Sequence, residues 1–216
     1  MTRSQPVRER HPRLLVATSN VGKFRELCDL LCDLPIALRS LEDFPGAPTV
    51  PEDAAAFEDN ALAKATTIAR WSRCTTLADD SGLEVDALHG APGVLSARFA
   101  GANQDSAANI EKLLRLLRDV PPAQRTARFR CVIAIAAPGG ATLVADGTCE
   151  GRIADVPRGD HGFGYDPVFL DPESGQTFAE LPAALKNRLS HRARACARLR
   201  PQLLEFLSVH PWKGAS

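Results

Sequence analysis

The sequence predicts a mixed α/β fold, and three observations carry that reading. Short apolar runs suited to buried strands alternate with stretches whose apolar residues recur at helical spacing. The run 126–136 starts with strict alternation, Arg128 and Arg130 opposite Phe129 and Cys131, and then turns wholly apolar. A strand reads this way when it passes from a half-exposed rim into a sheet covered on both faces. Finally, Pro138-Gly139-Gly140 turns the chain into a partner strand, so hairpins sit among helices and the sheet is mixed rather than purely parallel.

Along the chain, 13–18 reads as a buried strand, followed by the polar turn Ser19-Asn20-Val21-Gly22. From Lys23 the period changes, with Phe24, Leu27, Leu30 and Leu31 on one helical stripe up to Pro35. A second strand covers 36–41, and 42–53, with three prolines and a glycine, is a loop. A helix over 54–72 carries Phe57, Ala61, Ala65, Ile68 and Trp71 on its buried face. A strand over 75–79 ends in the turn Asp80-Ser81-Gly82, and 83–87 alternates like another strand. Asp105 or Ser106 caps a helix with the stripe Ile110, Leu113, Leu114, Leu117. After the hairpin, 151–164 is mostly loop, 167–170 a short strand, and 183–207 mainly helical with a break or kink at Pro201. Residues 1–12 form a polar tail, 13–210 a single domain, and 211–216 a C-terminal tail.

A chain of 216 residues with 44% apolar content can bury a core without disulfides or metal. Its 26 basic and 26 acidic side chains argue against a globally basic nucleic-acid binder, and no window suits a membrane span. The six cysteines lack paired CxxC spacing, and no secretory segment precedes them, which points to buried thiols in a reducing cytoplasm. The neutral balance hides segregation. Residues 42–60 hold six carboxylates and no Lys or Arg, whereas 182–216 hold seven basic side chains against Glu205. An acidic region suited to a cation therefore complements a basic region suited to an anion; a mixed solvated surface is the plainer reading.

Four segments resist a purely structural account. Thr18-Ser19-Asn20-Val21-Gly22-Lys23, between strand and helix, offers amide, hydroxyl and ammonium donors to a phosphate. It is not a P-loop, because Ala17 replaces the first glycine and Phe24 stands where Ser or Thr would ligate magnesium. An ordinary capped βα turn is the competing reading. On the second helix, Asn60 and Lys64 share the apolar stripe, so either Lys64 snorkels or that face looks into an anionic cleft. Asp79-Asp80 follow a strand, where adjacent side chains point to opposite sides; one can ligate a metal or orient water while the other anchors the turn. In Gly162-Phe163-Gly164-Tyr165-Asp166-Pro167, the glycines admit close backbone approach and the aromatics offer flat faces to a base. Together these features point to a nucleotide.

These residues resemble the inosine triphosphate pyrophosphatases, also called dITP/XTP pyrophosphatases. The matching segments are Thr-Ser-Asn-Val-Gly-Lys-Phe-Arg-Glu-Leu at 18–27, Phe-Glu-Asp-Asn-Ala-Leu-Ala-Lys-Ala at 57–65 and Leu-Ala-Asp-Asp-Ser-Gly-Leu-Glu-Val at 77–85. They continue with Gly-Ala-Pro-Gly-Val-Leu-Ser-Ala-Arg-Phe-Ala-Gly at 90–101, Gly-Phe-Gly-Tyr-Asp-Pro-Val-Phe at 162–169 and Ser-His-Arg at 190–192. The resemblance implies two lobes around a long central mixed β-sheet with flanking helices, a nucleotide cleft between the lobes, and a cytoplasmic homodimer. It implies Mg²⁺-dependent hydrolysis of ITP, dITP and XTP to monophosphate and pyrophosphate, with no nucleic-acid or membrane partner.

By position, the resemblance assigns Thr18, Ser19, Asn20, Val21, Gly22 and Lys23 to the triphosphate. It makes Asp80 the proton acceptor and a metal contact, with Glu52 the further acid at the metal. Ser81, Phe163, Gly164, Tyr165, Asp166, Lys186, His191 and Arg192 would contact the nucleotide, and Lys64 would join Lys23 and Lys186 in neutralising phosphate charge. Ser19 stands where Gly is frequent, Ala56 where Ser or Thr is common, Asp59 where Glu is common, and Ala193 where Gly usually follows Ser-His-Arg. Two other classes remain open. A septum-related nucleotide pyrophosphatase would lack Ser-His-Arg, and a non-catalytic nucleotide or RNA-binding protein would not need Asp79-Asp80.

Overall fold

A computed structural model of the protein describes residues 11–212. The tail segments 1–10 and 213–216 lie outside the described residues. The element order is β1 (Arg13–Val16), α1 (Val21–Leu31), β2 (Ala37–Ser40), α2 (Phe57–Ser72), β3 (Thr76–Val85) and α3 (Ser106–Leu116). It continues with the hairpin β4 (Thr126–Ala136) and β5 (Thr142–Ile153), then β6 (Phe169–Leu170), α4 (Ala183–Leu189) and α5 (His191–Val209). The strands form one six-stranded sheet in the order β2-β1-β3-β4-β5-β6. The β1 pairings with β2 and β3 are parallel and the rest antiparallel, so the sheet is mixed, as the hairpin signal predicts.

Three apolar clusters cover this sheet. Leu14, Val16, Leu77 and Ile133 face α1 and α5, whereas Leu15, Ala17, Ala78 and Val132 face α2. Further along the same long strands, Leu83, Val85 and Phe129 pack with α3 and the segment 165–181. One lobe thus sandwiches the first half of β3 and the other caps its second half. Asp79 and Asp80 fall at the junction.

The structure corrects several boundaries. β3 runs unbroken through Asp80-Ser81-Gly82, where the sequence predicts a turn. Gly82 is there for close approach: a Cβ would lie 2.4 Å from the Gly93 carbonyl oxygen and 2.5 Å from Ser96 Oγ. β5 reaches Ile153, past the expected loop start, because 151–153 keep pairing with β4 and β6. The terminal helical region breaks at Ser190, not at Pro201, which lies inside α5. Ser190 adopts an extended conformation and its side chain accepts the Ala193 N–H, capping α5. Trp71 is 40% exposed rather than core, resting edge-on against Phe44. Trp212, assigned to a tail, packs against Phe44.

Candidate active site

The site is assembled by what packs on each face of β3. Alternation along the strand sends Asp79 toward α1 and α5 and Asp80 toward α2. On the first side, Asp79 Oδ2 accepts from Arg192 Nη2 at 2.8 Å and lies 3.2 Å from Lys23 Nζ. Burial alone would raise the Asp79 pKa, but Lys23, Arg192 and Lys64 outweigh it and hold this carboxyl well below the usual range. Arg192 also pairs with Glu26 of α1 and donates to Ser81 Oγ at 2.9 Å. Glu26 in turn accepts from Lys186 Nζ at 2.6 Å, and Lys186 also pairs with Asp166. Burial opposes the charge on Lys186, yet these two carboxylates raise its pKa. A chain of alternating charge therefore ties α1, β3, α4, α5 and the aromatic loop together.

On the other side, Asp80 is 5% exposed. Its Oδ2 accepts from Asn60 Nδ2 at 2.9 Å and its Oδ1 from the Ser81 N–H at 2.9 Å. Burial raises its pKa, nearby Glu52 adds to the rise, and Lys23, Asn60 and Lys64 only partly offset it. Lys64 does not snorkel outward. Its ammonium pairs with Glu52 and donates to the Asp79 carbonyl at 3.2 Å.

A cleft of about 960 Å³, open solvent at its mouth included, lies beside this junction. Asn20, Lys23, Glu52, Asp80 and Ser81 line it. Phe163, Gly164, Tyr165, Asp166, Lys186, His191 and Arg192 also line it. Thr18 and Ser19 form the adjoining βα turn, and Val21 and Gly22, read from sequence as part of that turn, open α1; none of the four lines the cleft, nor does Lys64, whose ammonium pairs with Glu52. Asn20 caps α1 by accepting the Lys23 N–H at 3.0 Å. Phe163 packs on Gly22, where a Cβ would lie 2.7 Å from its ring. Lys186 Nζ sits 4.9 Å from the Phe163 ring centroid.

Two residues of the aromatic loop serve it structurally. Tyr165 OH donates to the Ser96 carbonyl at 2.9 Å, latching the loop to the helical turn at 93–98. Asp166 Oδ2 accepts the Phe163 N–H at 2.8 Å. His191 stacks on Phe129, with centroids 4.8 Å apart, and its Nδ1 is buried without a hydrogen-bond partner among the described residues. Burial, then Arg192 and Lys186, push its pKa well below the ordinary value, so the ring is neutral. Burial lifts the thiols of Cys131, Cys196 (to about 12) and Cys149 (to about 11), so none supplies a thiolate at neutral pH.

Sequence reasoning missed Glu26, the carboxylate that bridges Lys186 and Arg192. The available signal was its spacing three residues after Lys23, on the same side of α1. It also missed Ser96, Gln104 and Asn109 on the cleft wall, which carry no local signature.

Residues 14–202 match the Ham1 family. The chain belongs to that family. Its Ham1 relatives include the dITP/XTP pyrophosphatase of Geobacter sulfurreducens, 53% identical over 88% of this chain and 96% of that one. That of Geobacillus kaustophilus is 50% identical over 90% and 95% of the two chains. Among solved structures, a Ham1 protein from Coxiella burnetii superposes with a TM-score of 0.81 at 40% identity, covering 90% of this chain and 99% of that one. The Nucleoside-triphosphatase / dITP/XTP pyrophosphatase of Mycobacterium abscessus gives 0.71 at 45%, covering 88% and 99%. Family and fold thus agree with the resemblance carried by the motifs, and the Ham1 assignment removes the septum-related alternative.

Proposed function

We propose that this Ham1 protein is a nucleoside triphosphate pyrophosphatase acting on ITP, dITP and XTP, releasing the monophosphate and pyrophosphate. The observation that carries the reading is the placement of Asp80, a buried carboxylate with a raised pKa, in one cleft with the cations Lys23, Lys186 and Arg192 and the aromatic Phe163. Lys23, Lys64 and Lys186 supply positive charge to the triphosphate, with the Thr18–Ser19 turn and the N-terminus of α1 beside them. Phe163 offers a face to the base. As a carboxylate, Asp80 takes the proton of the attacking water, and its raised pKa brings it nearer the working pH of a general base. Phosphoryl substitution depends chiefly on positioning and charge stabilisation, so no nucleophilic Ser or Cys is required.

The residues fit a magnesium ion. Glu52 and Asp80 place two hard carboxylates close enough that one raises the pKa of the other. Among the described residues no group of three or more His, Cys, Asp or Glu converges, and one or two carboxylates completed by substrate phosphates is a set that Mg²⁺ uses. When bound, the ion supplies charge neutralisation at the phosphates. The reading carries with it a cytoplasmic homodimer without nucleic-acid or membrane partners; among the described residues, no helix is long and apolar enough to cross a membrane.

Base choice follows from donors. Hydrogen bonds to Asp79, Glu26 and Ser81 occupy four Arg192 N–H groups, leaving one of the five that a guanidinium carries. That donor and neutral His191 suit a 6-oxo group and mismatch the adenine amino group. Such a mismatch costs about 1–3 kcal/mol, a roughly tenfold to hundredfold preference. Pyrophosphate release from ITP, dITP, XTP, GTP and ATP, with Mg²⁺ and with EDTA, tests this. The first three should exceed GTP, with GTP at least equal to ATP and all activity lost in EDTA. Cleavage of ATP as fast as ITP would refute the base pocket.

A further inference from the structure

Asn60 is 1% exposed in the first turns of α2, and both ends of its amide are engaged. Its Oδ1 accepts the Ala54 N–H at 3.0 Å, and its Nδ2 donates to Asp80 Oδ2 at 2.9 Å. Ala54 lies two residues after Glu52, in the segment that enters α2. Arg98 holds the same segment from the other side by donating to the Glu52 carbonyl. With the Ser81 N–H on Asp80 Oδ1, both oxygens of that carboxylate are held, and each keeps a lone pair for water or a cation. Asn gains nothing in a helix interior as such, because its side chain competes for backbone groups. A buried Asn with its acceptor on one acidic segment and its donor on the other therefore needs another account.

We infer that Asn60 is a positioning residue that couples Glu52 to Asp80. One amide sets the plane of the Asp80 carboxylate and fixes how far the Glu52 segment stands from it, so loop and strand behave as a unit. The inference rests on the roles given above to Asp80 and Glu52. It explains why an amide is needed: Asp, the same size, would keep the acceptor for Ala54 but present oxygen to oxygen at Asp80. Magnesium demands near-ideal octahedral geometry, so the spacing of two carboxylates that share it matters.

Three variants test this. Asn60→Asp retains the acceptor for the Ala54 N–H and removes the Nδ2 donor, with its 2.9 Å bond to Asp80 and its long 3.5 Å contact to the Ala54 carbonyl. Its kcat should fall by about 10²-fold, the cost of a small misplacement, with KM within roughly threefold. Asn60→Ala loses all three bonds. Its kcat should fall at least as far, and the Mg²⁺ concentration for half-maximal rate should rise by about tenfold, as for loss of an outer-shell partner. Hydrogen exchange at the Ala54 amide should quicken by about tenfold in Asn60→Ala and stay slow in Asn60→Asp. Thr75→Val removes a buried hydrogen bond to the His210 carbonyl, away from the cleft, and controls for general destabilisation. It should leave kcat, Mg²⁺ dependence and Ala54 exchange unchanged.

Asn60→Asp with kcat within about twofold of wild type would overturn the coupling, as would Asn60→Ala with wild-type exchange at Ala54. An equal shift in Mg²⁺ dependence in Thr75→Val would overturn it too. A wild-type enzyme that releases no pyrophosphate from ITP would remove the functional reading instead. The exchange comparison, which needs no substrate, would still decide whether Asn60 ties the two segments.

Discussion

Asp79 and Asp80 are the same residue type, adjacent on one strand and both buried, yet their carboxyls shift in opposite directions. The difference lies in what the fold packs on each face of β3. On the α1–α5 face, Asp79 meets two cations directly, and Coulombic attraction exceeds the cost of leaving water. On the α2 face, Asp80 has a neutral amide as its side-chain partner and Glu52 nearby, so desolvation wins. One carboxylate locks a structure and, under the proposed function, the other is kept poised for chemistry. The pleat of the strand separates those tasks by a single residue.

The largest expected effect comes from breaking the locked side. Asp79→Asn leaves Arg192, 1% exposed, and Lys23 without their shared partner. Removing one member of a buried ion pair costs about 3–5 kcal/mol, which urea unfolding would measure. A loss below about 1 kcal/mol, the worth of an exposed pair, would mean that Glu26 alone holds Arg192. On the other face the result should invert. Asp80→Asn removes the proposed proton acceptor, so turnover should fall by about 10²-fold or more while the unfolding midpoint holds or rises, because a neutral amide is cheaper to bury. Near-normal turnover would reassign Asp80 to structure.

Much of this division was legible in the sequence. Period-two alternation predicts that the two carboxylates point apart, and the stripe on α2 places Asn60 and Lys64 on the buried face. The turn expected at Asp80-Ser81-Gly82 was wrong because Gly82 reads as a turn former by itself. Its reason is steric, set by Gly93 and Ser96 arriving from a distant segment. The break at Ser190 was misplaced to Pro201 for a related reason, since intrinsic preference names Pro while capping and packing choose Ser190. Glu26 shows the same limit. Its spacing from Lys23 marks only a shared helix side, and its role is set when α4 and α5 bring Lys186 and Arg192 onto it.

The smallest effect, and the sharpest discrimination between the two faces, is the dependence of stability on pH in metal-free buffer. His191, beside Arg192, has a folded pKa well below 6.5, so the unfolded chain takes up a proton first as the solution is acidified. Its contribution is present above pH 6.5 and is lost as pH falls through the folded value, with a slope of at most about 1.4 kcal/mol per pH unit. Asp80 acts with the opposite sign. Its folded pKa lies above 3.8, so the native state takes up that proton first and this group adds stability on acidification. Asp79, with its lowered pKa, retains its contribution above 3.8 and loses it only in stronger acid. Urea unfolding from pH 7.5 downward should therefore show stability declining below 6.5 in the wild type. His191→Phe, which keeps a ring against Phe129 and cannot titrate, should flatten that first decline. Asp80→Asn should instead start at or above wild-type stability at neutral pH and fall more steeply toward pH 4, having lost the compensating proton. Parallel curves for wild type and Asp80→Asn would show that the two carboxylates do not differ in the way their surroundings imply, and the division of labour across β3 would fail with them.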